Sequence, residues 1–577
     1  MRHPIGVVAA TASGRTAAAT LASAWPKEVR VFAADSVAEA LREAFRACEA
    51  VVSFLAVGAT VRILAPLLEH KTTDPAVVCV DESRRYAVPV LGGHHGANAL
   101  AERVAGVLGC TPVVTTASDA VAVPGLDELA DLMGWRIEPG SDLAGVGAAL
   151  LSGEPVALSG DLTWPLPALP PNVTRVSTPE PGLPVIAVTD EDLAAGRGLV
   201  VYRPPSLVVG VGASRGASAE EVLETIDAAL AEARLSPLSV RHLASVDAKA
   251  DEAGLLAAAE RRGWPVVCHP AEALARVETP NPSEVVRAAV GTPSVAEAAA
   301  RYAGPGRPLG ELVVPKRRSA RANPMVTVAV ARHRGRGRLA IVGLGPGARD
   351  LLTPRAVAEL RRASVVVGLD QYVDQVRDLL RPGTEVVASG LGQEEERART
   401  AVELARAGRA VALIGSGDAG VYAMASPALD LADEAIDVVG VPGVTAAAAA
   451  ASLLGAPLGH DHAYISLSDL HTPWAAIERR IRAAAEGDFV VCFYNPRSRQ
   501  RDWQLARAVE ILAAHRPPKT PVGYVRNATR EGERVVLTTL ADFDPAEVDM
   551  YTVVLVGSSS TRIVAGRMVT PRGYRWS

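Results

Sequence analysis

The chain has 577 residues, which at roughly 150 per domain corresponds to about four domains. Hydrophobic residues make up 49% and charged residues 21%, an ordinary globular balance, while only 4% are aromatic, so the cores should be aliphatic. The formal net charge of −5 argues against broad nucleic-acid binding, which needs a basic footprint, but leaves room for local basic sites facing an acidic small molecule.

Apolar runs with strand character alternate with amphipathic stretches nearly throughout, which predicts an α/β, multidomain chain with mainly parallel strands. Residues 51–68, VVSFLAVGATVRILAPLL, read as strand, glycine turn and helix. Residues 76–91 read as two strands joined by a polar turn, 92–109 as a glycine loop feeding a helix, and 112–120 as a further strand. These elements make a first α/β domain over 1–134. From 135 to 205 the pattern weakens and prolines cluster in TWPLPALPPNVTRVSTPEPGLP, so an irregular middle domain is expected. A clean restart at SLVVGVGASRGASAEEVLETIDAALAEA opens an α/β domain over 206–330, with Ser218 and Glu221 spaced as a capping box. Residues 331–338, rich in arginine and glycine, read as a solvated linker, and 339–577 as a final α/β part with subdomains at about 339–445 and 446–577.

Cys48, Cys79, Cys110, Cys268 and Cys492 form no CxxC pair and mostly lie in or beside apolar runs. That is the pattern of buried free thiols in a reducing cytoplasm, with no metal site. The apolar run near the N-terminus is too short for a signal peptide. The alanine-rich run after Thr445 stops at Pro457, short of the roughly 20 residues that a membrane span needs, and reads as a buried helix of small residues.

Residues 338–354, RLAIVGLGPGARDLLTP, pass from a strand into a glycine loop. Gly343, Gly345 and Ala348 formally satisfy the dinucleotide fingerprint, and Asp370 lies where a ribose-binding acid would sit. The fingerprint requires a helix to open directly on the last glycine. Here Pro346 stiffens the loop, and the next helix should start late, with Thr353 as N-cap and Pro354 at its first position. Four more strand-end loops follow: ALIGSGDAGVYAMA (412–425), VVGVPGVTAAAAAASLLGAPLGHD (438–461), FVVCFYNPRS (489–498) and TPVGYVRNATREGE (520–533). Such loops leave backbone groups free for a small ligand.

These motifs, in this order, resemble the tetrapyrrole methylase family over 339–577, and YNPRS with RNATREGE looks most like its precorrin-3B C17-methyltransferases. The resemblance implies two α/β domains with S-adenosylmethionine in the cleft between them, a tetrapyrrole substrate and a homodimer. It implies that Pro346 borders the cofactor, that Ser416, Gly417, Asp418 and Val421 contact its methionine and ribose parts, and that Thr445 and Ala446 line the same cleft. Asn495 and Ala528 would flank the adenosine. Asp418 would then be a cofactor ligand rather than a base. Arg497, Arg499, Arg526 and Arg530, at strand ends, are candidate partners for substrate carboxylates or ordinary solvated side chains.

In the first half, AVGATVRILAPLLEHKTTDPAVVCVDE, VLGGHHGANALAERVA and TTASD resemble the N-terminal domain of the cobalamin-biosynthesis protein G family, the cobalt-precorrin-5A hydrolases. VGVGASRGAS, LASVDAKADEAGL, PSEVVRAAVGTPSVAEAAA and VTVAVAR resemble its C-terminal domain. Gly92-Gly93-His94 stands where that family has Ser-Gly-His, so a serine has no role there. The implied reaction opens the ring-A lactone, which needs a base for water and a donor for the oxyanion. His94 and His95, in a glycine loop before a helix, supply a candidate base, or else serve the loop or grip a carboxylate. Lys249 and Glu252 could bind a carboxylate or move a proton. The chain lacks the HExxH motif of zinc hydrolases. The reading is thus a bifunctional enzyme of corrin-ring biosynthesis, on cobalt-free or cobalt-loaded substrate. The alternatives are a methyltransferase fused to a non-catalytic corrinoid-binding module, methylation at another tetrapyrrole carbon, and a nicotinamide-linked oxidoreductase.

Overall fold

The computed structural model describes residues 3–69, 73–114, 125–160, 163–498 and 501–574, apart from the side chains of His3, His94 and His95. Two compact units are present, one of residues 1–161, 169–303 and 309–333, the other of 162–168, 304–308 and 334–577. Every sheet in both is flanked by helices or loops in an α/β arrangement, as the alternation of apolar runs predicts. Among the described residues, no helix is long and apolar enough to cross a membrane.

The first unit carries three main sheets. The first runs, edge to edge, Val29–Phe32, His3–Ala9, Cys48–Phe54, Ala76–Val80, Tyr86–Leu91 and Thr111–Pro112. Its first four strands are parallel, and Ala76–Val80 and Tyr86–Leu91 form the expected antiparallel hairpin. Of the strand expected at 112–120, Thr111–Pro112 is observed, and 115–124 lie outside the described residues. Gly58 sits in the first turn of helix Val57–Leu64 rather than in a turn before it.

The middle region is more regular than its prolines suggest. Arg136–Ile137, Leu199–Arg203, Val185–Val188, Val156–Gly160 and Val173–Arg175 lie side by side as one sheet, parallel except for its first strand. Its strands have two to five residues, too short for their apolar period to stand out between proline-rich connections.

The third sheet runs Val266–His269, Val240–Val246, Leu207–Ala213, Val326–Arg332 and Glu311–Arg318. Ser218 caps helix Ala219–Glu232 by accepting from the Glu221 N–H, but Glu221 does not close the capping box. Its buried carboxylate accepts from the Met325 N–H at 2.8 Å instead. Helix Ala296–Arg301 lies so close to the sheet that a Cβ on Gly210 would stand 1.8 Å from the Ala296 carbonyl oxygen. Glycine there lets an alanine helix seat directly on a strand.

The second unit's first strand is Gly337–Gly343, which together with Val326–Arg332 takes up four of the eight residues expected as a 331–338 linker, leaving 333–336 between them. Its first sheet is wholly parallel, in the order Glu385–Ser389, Val365–Leu369, Ala410–Gly415, Gly337–Gly343, Ile436–Val441. Val and Ile dominate because both faces are covered. Ala340 and Val342 pack with helices Pro354–Arg362 and Asp370–Val376, while Leu339 and Ile341 pack with Glu394–Arg406 on the other side. Thr353 caps the first of these helices and Pro354 is its first residue, as the sequence predicts. From Gly337–Gly343 the chain leaves toward Val365–Leu369, and from the adjacent Ala410–Gly415 it leaves the opposite way toward Ile436–Val441. In a parallel sheet this reversal opens a crevice at the carboxyl ends of the two strands.

Helix Ala446–Leu454 then leads to a second five-stranded sheet, ordered His462–Ser466, Val490–Tyr494, Thr552–Val556, Pro521–Arg526, Arg534–Thr539. The first two strands are parallel and the remaining pairs antiparallel. The helix buries Ala447, Ala449, Ala450, Ala451 and Leu454, the expected buried helix of small residues.

Candidate functional site

Three glycine loops meet at the crevice. The Gly345 N–H donates to the Gly417 carbonyl at 3.0 Å, and the Gly417 N–H donates back to Gly345 at 2.7 Å. Gly345 and Gly417 have φ of +74° and +64°, where other residues are strained. The third loop, VPGVT, closes on the other two. A Cβ on Gly443 would lie 2.1 Å from the Gly417 carbonyl oxygen and 2.8 Å from the Gly343 backbone. The glycines are therefore required for loop to pack on loop, and their joint edge is rigid.

Asp418 fastens the same corner. One carboxylate oxygen accepts from the Gly443 N–H at 3.0 Å and the other from the Gly420 N–H at 2.8 Å. Its primary partners are thus backbone groups of two loops. Thr445 is the N-cap residue of helix Ala446–Leu454, yet its side chain makes no cap bond. The Tyr494 hydroxyl substitutes, accepting from the Ala447 N–H at 2.9 Å and sharing a 2.6 Å bond with the Thr445 hydroxyl. Burial pushes the Tyr494 phenol up to about 12, so it stays protonated near neutral pH. Its ring packs against Tyr422 and Tyr464, with centroids 5.3 and 5.6 Å away. Tyr422 in turn donates to the Tyr464 carbonyl at 2.7 Å. A cavity of about 370 Å³ opens beside this trio, lined by Gly420, Val421, Tyr422, Ala423, Ser426 and Tyr464.

Asn495 and Ala528 stand at the ends of the second sheet's strands. Asn495 has φ +49° and donates to Ser466 Oγ at 3.1 Å. Ala528 packs in the same apolar cluster as Ala446, Tyr464 and Tyr494. On either side of it, Asn527 and Thr529 have φ of +48° and +63°. With Tyr422 at φ +52°, four non-glycine residues in these loops hold left-handed backbone, a conformation retained where surrounding contacts over-determine it.

Of the four arginines offered either as partners for substrate carboxylates or as ordinary solvated side chains, three have partners within the chain. Arg497 donates to the Ala546 carbonyl at 2.8 Å, and Arg526 pairs with Asp549 at 2.8 Å. Arg530 donates to the Pro346 carbonyl at 2.5 Å and to Ser416 Oγ at 2.7 Å. Arg499 lies outside the described residues.

In the first unit, Gly92 adopts φ +71° and residues Gly93–Ala97 already form a helical turn running into helix Asn98–Leu108. His94 and His95 therefore belong to the first turn rather than to a loop before it, and their side chains lie outside the described residues. Lys249 closes the short helix Asp247–Lys249 after strand Val240–Val246 and is half-buried. Glu252 is buried, and its carboxylate accepts from the Gly216 N–H at 2.8 Å. It thereby joins the loop after Val240–Val246 to the loop after Leu207–Ala213. The candidate base pair and the Lys249–Glu252 pair belong to different sheets.

Sequence reasoning passed over Gly443 and the three tyrosines. Tyr494 stood in a quoted motif, but nothing in its spacing announces that it caps a helix beginning 48 residues earlier, at Ala446. Cys48, Cys79 and Cys492 are buried, Cys110 and Cys268 half-buried, and all five are free thiols. Burial lifts Cys492 to about 12 and raises the others as well, which leaves inert thiols rather than nucleophiles.

Comparison with known proteins decides the family. Residues 338–544 match the model of the tetrapyrrole (corrin/porphyrin) methylases. A probable cobalt-factor III C(17)-methyltransferase of Salmonella typhimurium is 50% identical over 239 residues, 41% of this chain and 99% of that protein. The chain belongs to the tetrapyrrole methylases. The precorrin-3B C(17)-methyltransferase of a Sinorhizobium species is 41% identical, covering 41% of this chain and 97% of its own length. The crystal structure of the methyltransferase CobJ is 40% identical and covers 41% of this chain and all of its own, with a TM-score of 0.39. The matched part spans about half the length of other curated relatives, which are larger proteins.

Ahead of this methylase stand three more family matches: cobalamin synthesis G N-terminal over 39–119, cobalamin biosynthesis central region over 124–204, and cobalamin synthesis G C-terminus over 207–331. The chain is a fusion of cobalamin synthesis G domains with a tetrapyrrole methylase, and the second strand-to-glycine restart at 338 is where the methylase begins.

Proposed function

We propose that residues 334–577 methylate C17 of precorrin-3B or its cobalt analogue, with contraction of the macrocycle, using S-adenosylmethionine as donor. The observation that carries this reading is the crevice between Gly337–Gly343 and Ala410–Gly415, where three glycine loops interlock and the segment Gly420–Ala423, which continues one of them, lines a cavity of about 370 Å³, within the usual size of a small-molecule site. The residues fit the donor. The loop backbone left over from these loop-to-loop bonds serves its polar ends, Val421 and Ala446 its apolar surface, and the neutral rings of Tyr422 and Tyr464 face a cationic centre well. When bound, the donor supplies an electrophilic methyl on a sulfonium that leaves as a neutral thioether. The protein's part is alignment and exclusion of water, and the rigid loop edge, the Asp418 brace and the Tyr494 cap hold the cleft in one geometry.

We assign ring-A lactone opening of cobalt-precorrin-5A to the G-family half, with action in the cytoplasm and dimerisation through the methylase unit. Mass spectrometry tests both reactions on the full chain, given methyl-labelled donor with metal-free and cobalt-loaded precursors. One labelled methyl gained by a contracted ring supports the first assignment, and none with either precursor sinks it. Release of a two-carbon aldehyde from the lactone substrate supports the second. His94→Ala or His95→Ala should then lose roughly 10²–10⁴ in rate if that residue is the base. A loss in affinity alone marks a carboxylate grip, and full activity in both moves the role to Lys249 or Glu252.

A further inference from the structure

The loop Asn527–Glu533 follows strand Pro521–Arg526 of the second sheet, yet its side chains engage loops of the first. Arg530 donates to the Pro346 carbonyl and to Ser416 Oγ, at 2.5 and 2.7 Å. Thr529 Oγ1 accepts from the Ala348 N–H at 3.1 Å. One short segment thus grips both GLGPG and GSGDAG, the two loops at the mouth of the crevice. The fit is close, since a Cβ on Gly347 would fall 2.4 Å from the Arg530 stem, which accounts for glycine there.

The segment is built to present these groups. The Glu533 carboxylate accepts from the Thr529 N–H at 2.6 Å, Asn527 donates to the Glu531 carbonyl at 3.1 Å, and the Arg530 N–H donates to the Asn527 carbonyl at 2.9 Å. Asn527 and Thr529 hold left-handed backbone, so the loop is set before it makes contact. Arg530 finds a carbonyl and a hydroxyl there, and none of the ion pairs among the described residues includes it. A surface ion pair would serve stability, whereas a guanidinium drawn across a cleft to neutral acceptors fixes a distance.

We infer that Thr529 and Arg530 form a clasp between the two sheets of the methylase and that Arg530 is a positioning residue, setting the width of the cofactor cleft and hence the approach of methyl group to acceptor carbon. The inference rests on the methyltransferase reading above. Its consequence is a division of effects: loss of the clasp should weaken cofactor binding and also slow turnover when cofactor is saturating, because a wider cleft misplaces the methyl group even when it is occupied.

The test uses the full chain with Arg530→Met, Arg530→Lys and Thr529→Val, and with Arg406→Met as a control that removes a cation from the Arg406–Asp433 surface pair. Titration calorimetry with S-adenosylhomocysteine gives affinity, and single-turnover methylation at saturating donor gives the chemical step. Arg530→Met should bind at least about tenfold more weakly and react at least about tenfold more slowly, with Arg530→Lys between it and the parent, since an ammonium still donates but cannot span both acceptors. Arg406→Met should match the parent in both. Parent-like affinity and single-turnover rate in Arg530→Met overturn the clasp. So does a loss that Arg406→Met reproduces, which marks general destabilisation. Absence of S-adenosylhomocysteine binding by the parent protein would instead overturn the cofactor reading itself.

Discussion

His242, on strand Val240–Val246, gives the G-family half a calculable acid sensitivity. Burial first, then the charge of Arg241 and the nearby His333 and His269, push its pKa from 6.5 down to about 4. His269 and His333 are lowered too, again chiefly by burial. In the unfolded chain the imidazole returns to about 6.5. Below that pH the unfolded state takes up a proton that the folded state refuses, so the stability present above pH 6.5 is lost progressively as pH falls toward 4. At roughly 1.4 kcal/mol per pH unit, the His242 share is about 2 kcal/mol at pH 5 and about 3 kcal/mol below pH 4. The perturbation is His242→Gln, which keeps polarity and removes the titration. Urea-dependent hydrogen exchange, read by mass spectrometry in peptides covering 240–246, reports the opening free energy at pH 7.5 and pH 5. The parent should lose about 2 kcal/mol more than the variant between these conditions. Equal losses in the two proteins would refute the argument and place the acid sensitivity elsewhere.

Three further outcomes follow from the loops. Gly443→Ala puts a methyl 2.1 Å from the Gly417 carbonyl oxygen, so the loops must part; stability should fall by roughly 1–3 kcal/mol and S-adenosylhomocysteine affinity at least about tenfold, measured by thermal melting and calorimetry. Tyr494→Phe strands the Ala447 N–H, which should cost about 1–3 kcal/mol and several-fold in cofactor affinity with the aromatic packing intact, and an unchanged melting temperature would count against the cap. Glu252→Ala should lower the stability of the G-family half by about 1–3 kcal/mol by removing the acceptor for the Gly216 N–H, whereas Lys249→Ala should leave it unchanged, so lactone-opening assays on the pair separate a brace from a chemical group.

Local rules carried the sequence reading where the determining contacts are local. Thr353-Pro354 and Ser218 mark helix starts because a cap bond spans only three residues, and the all-aliphatic runs at 339–342 and 412–414 mark buried parallel strands because both faces are covered. The same rules failed over 135–205. There the sheet is assembled from strands as short as two residues, paired across proline-rich connections, and its order depends on pairings such as Val185 with Leu199 and Ala157 that no short window contains. Glu221 shows the limit within one motif: the serine half of the capping box is local and forms, while the glutamate is claimed by Met325, 104 residues away.

The candidate site follows the same division, with a physical reason for its direction. A cleft built from strand-end loops exposes many backbone N–H and C=O groups that no helix or sheet satisfies, and each must find a partner before a ligand arrives. Polar side chains in such loops are therefore claimed first by the protein. Asp418 goes to the N–H groups of Gly420 and Gly443, Glu252 to that of Gly216, Arg530 to the Pro346 carbonyl and Tyr494 to the Ala447 N–H. Asp418, Glu252 and Arg530, offered from sequence as ligand contacts, thus have partners within the chain that no local motif announces, and Tyr494 was not singled out at all. On the proposed cofactor reading, what remains for the ligand is the surface those bonds shape: loop backbone, small residues such as Val421 and Ala446, and aromatic faces. If the clasp inference holds, specificity in that cleft is carried by the distance between loops, and the side chains that fix this distance are the polar ones that touch other loops.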